Sequence, residues 1–110
     1  MSVYDADSHK LLYHPERVTE WLNNGDCYPL HVEIGITNSC NHFCNFCSVD
    51  WITHGKVFLN SDNLIKSLKS MADIGVKSIY FAGEGEPTLH SDLCLFVETA
   101  YSLGLKIALS

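Results

Sequence analysis

Three cysteines fall within eight residues of the segment CNHFCNFC: Cys40, Cys44 and Cys47. Thiolates are soft ligands and nucleophiles, and a cluster this tight suits a metal centre or a redox pair. Three is one thiol more than a disulfide uses and one fewer than an all-cysteine tetrahedral site. Two chemistries accommodate that number. A zinc ion would take three thiolates and an imidazole from His42 or His54. A four-iron four-sulfur cluster would take one thiolate on each of three irons and leave the fourth iron open to a small molecule.

A second group of residues with chemical potential is FAGEGEPTLH, containing Gly83, Glu84, Gly85, Glu86 and Pro87. Glycines let a backbone approach a ligand closely. A carboxylate beside them suits an ammonium group.

The remaining cysteines, Cys27 and Cys94, read as structural. Cys94 lies beside the apolar stripe of a predicted helix, where a free thiol behaves as a small hydrophobe. Five cysteines are an odd number for a disulfide framework, and clustered thiols in a reducing compartment are more often metal ligands or catalytic groups. Asn41, His42 and Asn45 are expected to shape the loop through backbone hydrogen bonds, Trp51 and His54 to anchor it, and His90 to be a polar turn residue.

The elements that must position these groups follow from periodicity. YPLHVEIGIT alternates Leu30, Val32, Ile34 and Ile36 with His31, Glu33, Gly35 and Thr37, which predicts a first strand. Glu33 falls on its more polar face. SDNLIKSLKSMADIG predicts a helix, with Leu64, Leu68 and Met71 on one side, Ser61 or Asp62 as its cap and Gly75 at its end. VKSIYFAG predicts a second strand. SDLCLFVETAYSLG predicts a second such helix, capped by Ser91, burying Leu93, Phe96, Val97 and Ala100, and stopped by Gly104. LKIALS begins a third strand.

The order β-α-β-α-β has a parallel sheet with right-handed crossovers as its simplest solution. The fold class is therefore α/β, with parallel (βα) repeats forming the first half of a partial TIM-like barrel. Residues 30–110 are expected to be the first part of such a core, and its stop within a strand suggests a longer protein. Residues 1–29 form an extension with a short helix over HPERVTEWLNNG, where Val18, Trp21 and Leu22 share one side and Gly25 follows the end. One connection is unusual. Roughly 23 residues separate the first strand from its helix, where such loops usually take 2–6, and this loop carries all three clustered cysteines.

With 110 residues, 46% of them hydrophobic and 18% charged, the chain can bury a core and is not of disordered composition. A net charge of −6 with no Lys/Arg run argues against a nucleic-acid groove in this segment. The polar start has no apolar core of a secretory signal, and no apolar run reaches the ~20 residues that span a bilayer. A cytoplasmic protein is expected.

The spacing Cys40-x3-Cys44-x2-Cys47, with aromatic Phe46 before the last cysteine and a strand in front, resembles the signature of the radical SAM superfamily. Gly83-Glu84-Gly85-Glu86-Pro87 resembles that family's glycine-glycine-glutamate motif, with Glu84 where a second glycine is frequent. The resemblance covers residues 30–110. It implies a 4Fe-4S cluster on Cys40, Cys44 and Cys47 and S-adenosylmethionine chelated to the open iron. Glu86 would hold the methionine amino group, with Gly83, Gly85 and Glu84 alongside and Phe46 as a wall. It further implies reductive cleavage to a 5′-deoxyadenosyl radical that abstracts hydrogen from an unknown substrate, with an electron donor of flavodoxin or ferredoxin type. No general acid or base is assigned. The rival readings are an iron–sulfur electron carrier, for which Cys27 and Cys94 lie at no typical ligand spacing, and the zinc-stabilised module.

Overall fold

The alternation that begins at Leu30 becomes strand β1 over His31–Ile34. In the computed structural model, which describes residues 10–110 and only the backbone of Lys10 and Ile52, β1 belongs to a three-stranded sheet. Its partners are β2, Ser78–Phe81, and β3, Lys106–Leu109, in the order β1-β2-β3. Both pairings are parallel, with Val32 opposite Ile79 and Ile79 opposite Ile107. Three helices accompany them: α1, Pro15–Asn24; α2, Ser61–Asp73, between β1 and β2; and α3, Leu93–Ser102, between β2 and β3. The predicted β-α-β-α-β order is the observed one, and the open parallel sheet is consistent with the first half of a partial TIM-like barrel.

Matching of two periods builds the core. Leu64 and Leu68 recur at helical spacing on α2, and Phe96 and Ala100 on α3. They pack with Ile79 and Phe81, which alternate along β2, and with Ile36, Val76 and Leu105. Each such large side chain contributes roughly 1.5–3 kcal/mol when fully withdrawn from water. The intervening positions of β1 and β2 are polar. On that side His31 Nδ1 lies 2.7 Å from Ser78 Oγ, the Tyr80 hydroxyl lies 2.6 Å from Ser110 Oγ, and Glu33 is exposed.

Several local expectations are corrected. β1 stops at Ile34, because Ile36 and Thr37 leave the sheet to pair antiparallel with the segment around Phe58. The cap of α2 is Asn60, one residue before the predicted position; its side chain accepts the Asn63 amide at 3.0 Å. Ser61 instead donates its hydroxyl to Asp92. Asp92, not Ser91, stands at the cap of α3, and makes no side-chain capping bond. α1 ends at Gly25, whose φ is 73°, but Trp21 and Leu22 remain exposed. This helix is held by Arg17, whose guanidinium donates to the carbonyls of Tyr28 and Gly75.

Candidate metal and cofactor site

The cysteine loop is closed at its root before any cysteine is reached. Thr37 is buried; its hydroxyl donates to the Val57 carbonyl at 2.8 Å and accepts the Ser39 amide at 2.9 Å. The Asn38 side chain accepts the Val57 amide at 2.8 Å, and the Leu59 amide donates to Ile36 at 2.8 Å. Three of these hydrogen bonds, with the Asn38 amide donating to the Val57 carbonyl at 3.2 Å, pinch 36–39 against 57–59, and Cys40 follows directly. They satisfy backbone groups that a loop would otherwise have to expose.

Beyond the pinch the cysteines sit in irregular chain. The Cys47 amide donates to the Cys44 carbonyl at 3.0 Å, so these two residues bracket one turn. The His42 amide donates to Cys40 Sγ at 3.4 Å. All three thiols are free; Cys40 and Cys47 are half-buried and Cys44 is exposed. Among the described residues no three His, Cys, Asp or Glu side chains gather closely enough to hold one metal ion. A lone zinc holds sulfur at about 2.3 Å and so keeps its thiolates within about 4 Å of one another. An iron–sulfur cluster would take each thiolate on a different iron. The two histidines of the zinc alternative are placed elsewhere: His42 Nε2 lies 3.4 Å from Glu86, and His54 Nε2 lies 3.8 Å from Asp50. Both ring nitrogens of His54 are buried without a hydrogen-bond partner, a costly state for polar atoms. Three free, soft donors on an irregular loop fit an iron–sulfur cluster in number and chemistry.

The second motif packs against this root. Gly83 has φ 116°, and a Cβ on it would stand 3.0 Å from Gly35 Cα, so the ends of β2 and β1 touch through glycine. A Cβ on Gly85 would fall 2.4 Å from the Ser39 carbonyl oxygen and 2.6 Å from that of Thr37. The next amide, of Glu86, donates to Ser39 at 2.8 Å. Glu86 then caps a short 3-10 turn, Pro87–Leu89: its Oε1 accepts the Thr88 amide at 3.0 Å and the Thr88 hydroxyl at 2.7 Å. Those two bonds hold its pKa below the ordinary 4.5; burial opposes them and His42 assists. Glu86 is therefore an ionised carboxylate fixed beside the cysteine loop.

The site residues predicted from sequence divide accordingly. Glu86, Gly85 and Gly83 are brought against the root of the loop bearing Cys40, Cys44 and Cys47. Glu84 points elsewhere, lining with Glu33, Gly35, Thr37, Phe58 and Gly83 a cavity of about 530 Å³ at the C-terminal ends of β1 and β2. Phe46 is 90% exposed. His90, expected as a polar turn residue, is buried at 5% exposure. Its Nδ1 accepts the Asp92 amide at 3.1 Å, which leaves Nε2 to donate to the Leu59 carbonyl at 2.9 Å. Phe58 and Phe96 meet its ring edge-on. Sequence reading also missed Thr88, for which a Thr two residues after a Glu at a turn was the available signal; it weighed His42 as a loop-shaping residue or zinc ligand and not as a neighbour of Glu86.

Comparison with known proteins agrees with the geometry. The family model described as Radical SAM superfamily matches residues 34–110. An S-adenosylmethionine-dependent nucleotide dehydratase of Selenomonas ruminantium is 35% identical over 71% of the chain and 28% of its own length. A GTP 3',8-cyclase of Psychromonas ingrahamii is 33% identical over 70% of the chain and 23% of its own length. A PqqA peptide cyclase of Bradyrhizobium diazoefficiens is 40% identical over 70% of the chain and 20% of its own length. The chain thus spans less than a third of the length of each. No solved structure matches it. Three cysteines on the first strand's loop, a glycine–glutamate turn on the second and a family match across both place this chain in the radical SAM superfamily, whose members use a 4Fe-4S cluster and S-adenosylmethionine.

Proposed function

We propose that Cys40, Cys44 and Cys47 hold a 4Fe-4S cluster and that the turn Gly83–Glu86 binds the amino group of S-adenosylmethionine at its open iron. The observation that carries this reading is the contact between the two motifs: Gly85 pressed on the Ser39 and Thr37 carbonyls, and Glu86 bonded to Ser39 next to Cys40. Cluster and cofactor together supply reductive cleavage of the sulfonium and hydrogen-atom abstraction from a substrate. The chain's own residues do simpler work. Three thiols ligate, Gly83 and Gly85 let backbone approach closely, and Glu86 presents an ionised carboxylate to an ammonium group. Glu84 extends the same turn into the neighbouring cavity, and Phe46 screens the loaded centre from water.

Residues 30–110 act as the first part of the radical SAM core and residues 1–29 as an extension. Among the described residues no helix is long and apolar enough to cross a membrane. The protein works in the cytoplasm with a one-electron donor of flavodoxin or ferredoxin type. The names of its relatives span nucleotides and a peptide, so the shared core supports the radical chemistry and not a choice of substrate.

The test is anaerobic reconstitution of the chain with iron and sulfide, followed by electron paramagnetic resonance before and after S-adenosylmethionine. A reduced cluster whose signal shifts on addition is the expected result. Bound zinc with no cluster, or a cluster indifferent to the cofactor, overturns the reading.

A further inference from the structure

The two oxygens of the Glu86 carboxylate are in different states. Oε1 accepts two hydrogen bonds from Thr88. Oε2 takes none from the described residues, and His42 Nε2 stands before it at 3.4 Å, outside the about 2.7–2.9 Å of a charge-assisted bond. His42 lies between Cys40 and Cys44, and its own amide donates to Cys40 Sγ. The imidazole is more than half exposed, and Glu86 is mostly covered. The one carboxylate oxygen free to meet an ammonium group is thus screened by a side chain that gains little there.

We propose that His42 is a placeholder at the cofactor clamp: its imidazole stands on the approach to Glu86 Oε2 and is displaced by the ligand's ammonium group. This rests on the reading of Glu86 as the ammonium ligand. An ammonium nitrogen needs to come within hydrogen-bond distance of Oε2, and an imidazole nitrogen at 3.4 Å occupies that volume. Displacement is easy, because a long, solvent-screened pair changes an equilibrium by at most about fivefold. His42 is a positioning residue by this account. It neither ligates the metal nor reacts; it sets how readily the clamp accepts its ligand, from a backbone bonded to the first cysteine of the triplet.

The test measures binding of radiolabelled S-adenosylmethionine by equilibrium dialysis to the cluster-loaded chain, with iron content as the control. His42→Ala should tighten binding by about two- to fivefold without changing iron content. His42→Lys, which fixes a competing ammonium in the same place, should weaken it several-fold. In an E86Q background, His42→Ala should make no further difference, an effect that general loosening of the loop would not produce. Should His42→Ala load less iron, the shorter polar variant His42→Asn is measured in its place with the same expectation. Unchanged or weaker binding in the His42 variant, with E86Q itself weakened, overturns the placeholder alone. Unchanged binding in E86Q overturns the clamp and the placeholder with it.

Discussion

The amide of Glu86 donates to the carbonyl of Ser39 at 2.8 Å, so the acidic residue of one motif is fixed to the residue that precedes the first cysteine of the other. Two loops at the ends of adjacent parallel strands share one rigid root, in the place where open α/β sheets and barrels carry their ligands.

Gly85 sets how close that approach can be. A Cβ there would lie within 2.4 Å of one backbone carbonyl oxygen and 2.6 Å of another, and backbone cannot step aside as a flexible side chain can. Gly85→Ala should cost about 2–4 kcal/mol of stability, read by urea denaturation, and should lower the iron retained after reconstitution. Wild-type stability in the variant would show that the two loops do not share a root.

In the proposed cluster the cysteines would act as a set, each thiolate holding its own iron. Cys44→Ala should abolish a stable four-iron cluster, measured as iron and sulfide per chain and as loss of the visible absorption. Full retention of iron would remove the triplet from the ligand set.

Thr88 governs the charge on Glu86. The amide and hydroxyl of Thr88 depress the Glu86 pKa below 4.5; a carboxyl with a lowered folded pKa adds stability that is complete above its unfolded value and fades as pH falls through the folded one. Thr88→Val removes the hydroxyl bond and keeps the amide. The Glu86 midpoint should move up towards 4.5, followed by NMR titration of the side-chain carboxyl, and acid unfolding should begin at higher pH. An unmoved midpoint would assign the depression to other groups.

His90 ties the turn after Glu86 to the start of α2 through the Leu59 carbonyl at 2.9 Å. His90→Ala opens a hole between Phe58 and Phe96 and takes away the partner of the half-buried Leu59 carbonyl and Asp92 amide. A loss of about 3–5 kcal/mol is expected in chemical denaturation. His90→Gln should recover part of it if hydrogen bonding contributes.

Much of this molecule could be read along the chain. Leu64, Leu68, Phe96 and Ala100 announced two helices, Val32, Ile34, Ile79 and Phe81 the strands they cover, and the triplet Cys40, Cys44, Cys47 stood out within eight residues. Such features repeat at the period of the element that carries them, or lie within a few residues of each other, so local pattern suffices. The early end of β1 was not legible, because Ile36 stays apolar and fully buried whether it faces helices from a strand or from a loop. Nor were the caps at Asn60 and Asp92, which differ by one residue from equally good candidates.

Element order and the place of each motif were thus set by sequence alone: a β-α-β-α-β chain with a three-thiol loop after the first strand and a glycine–glutamate turn after the second. Folding in space decided that Glu86 sits on Ser39, that His42 faces its second oxygen, that His90 is buried, and that Phe46 is left in solvent. Those pairings join loops far apart in the chain. Parallel register between β1 and β2 brings the loops to one end of the sheet, and nothing periodic in the loops themselves records which of their side chains will then meet.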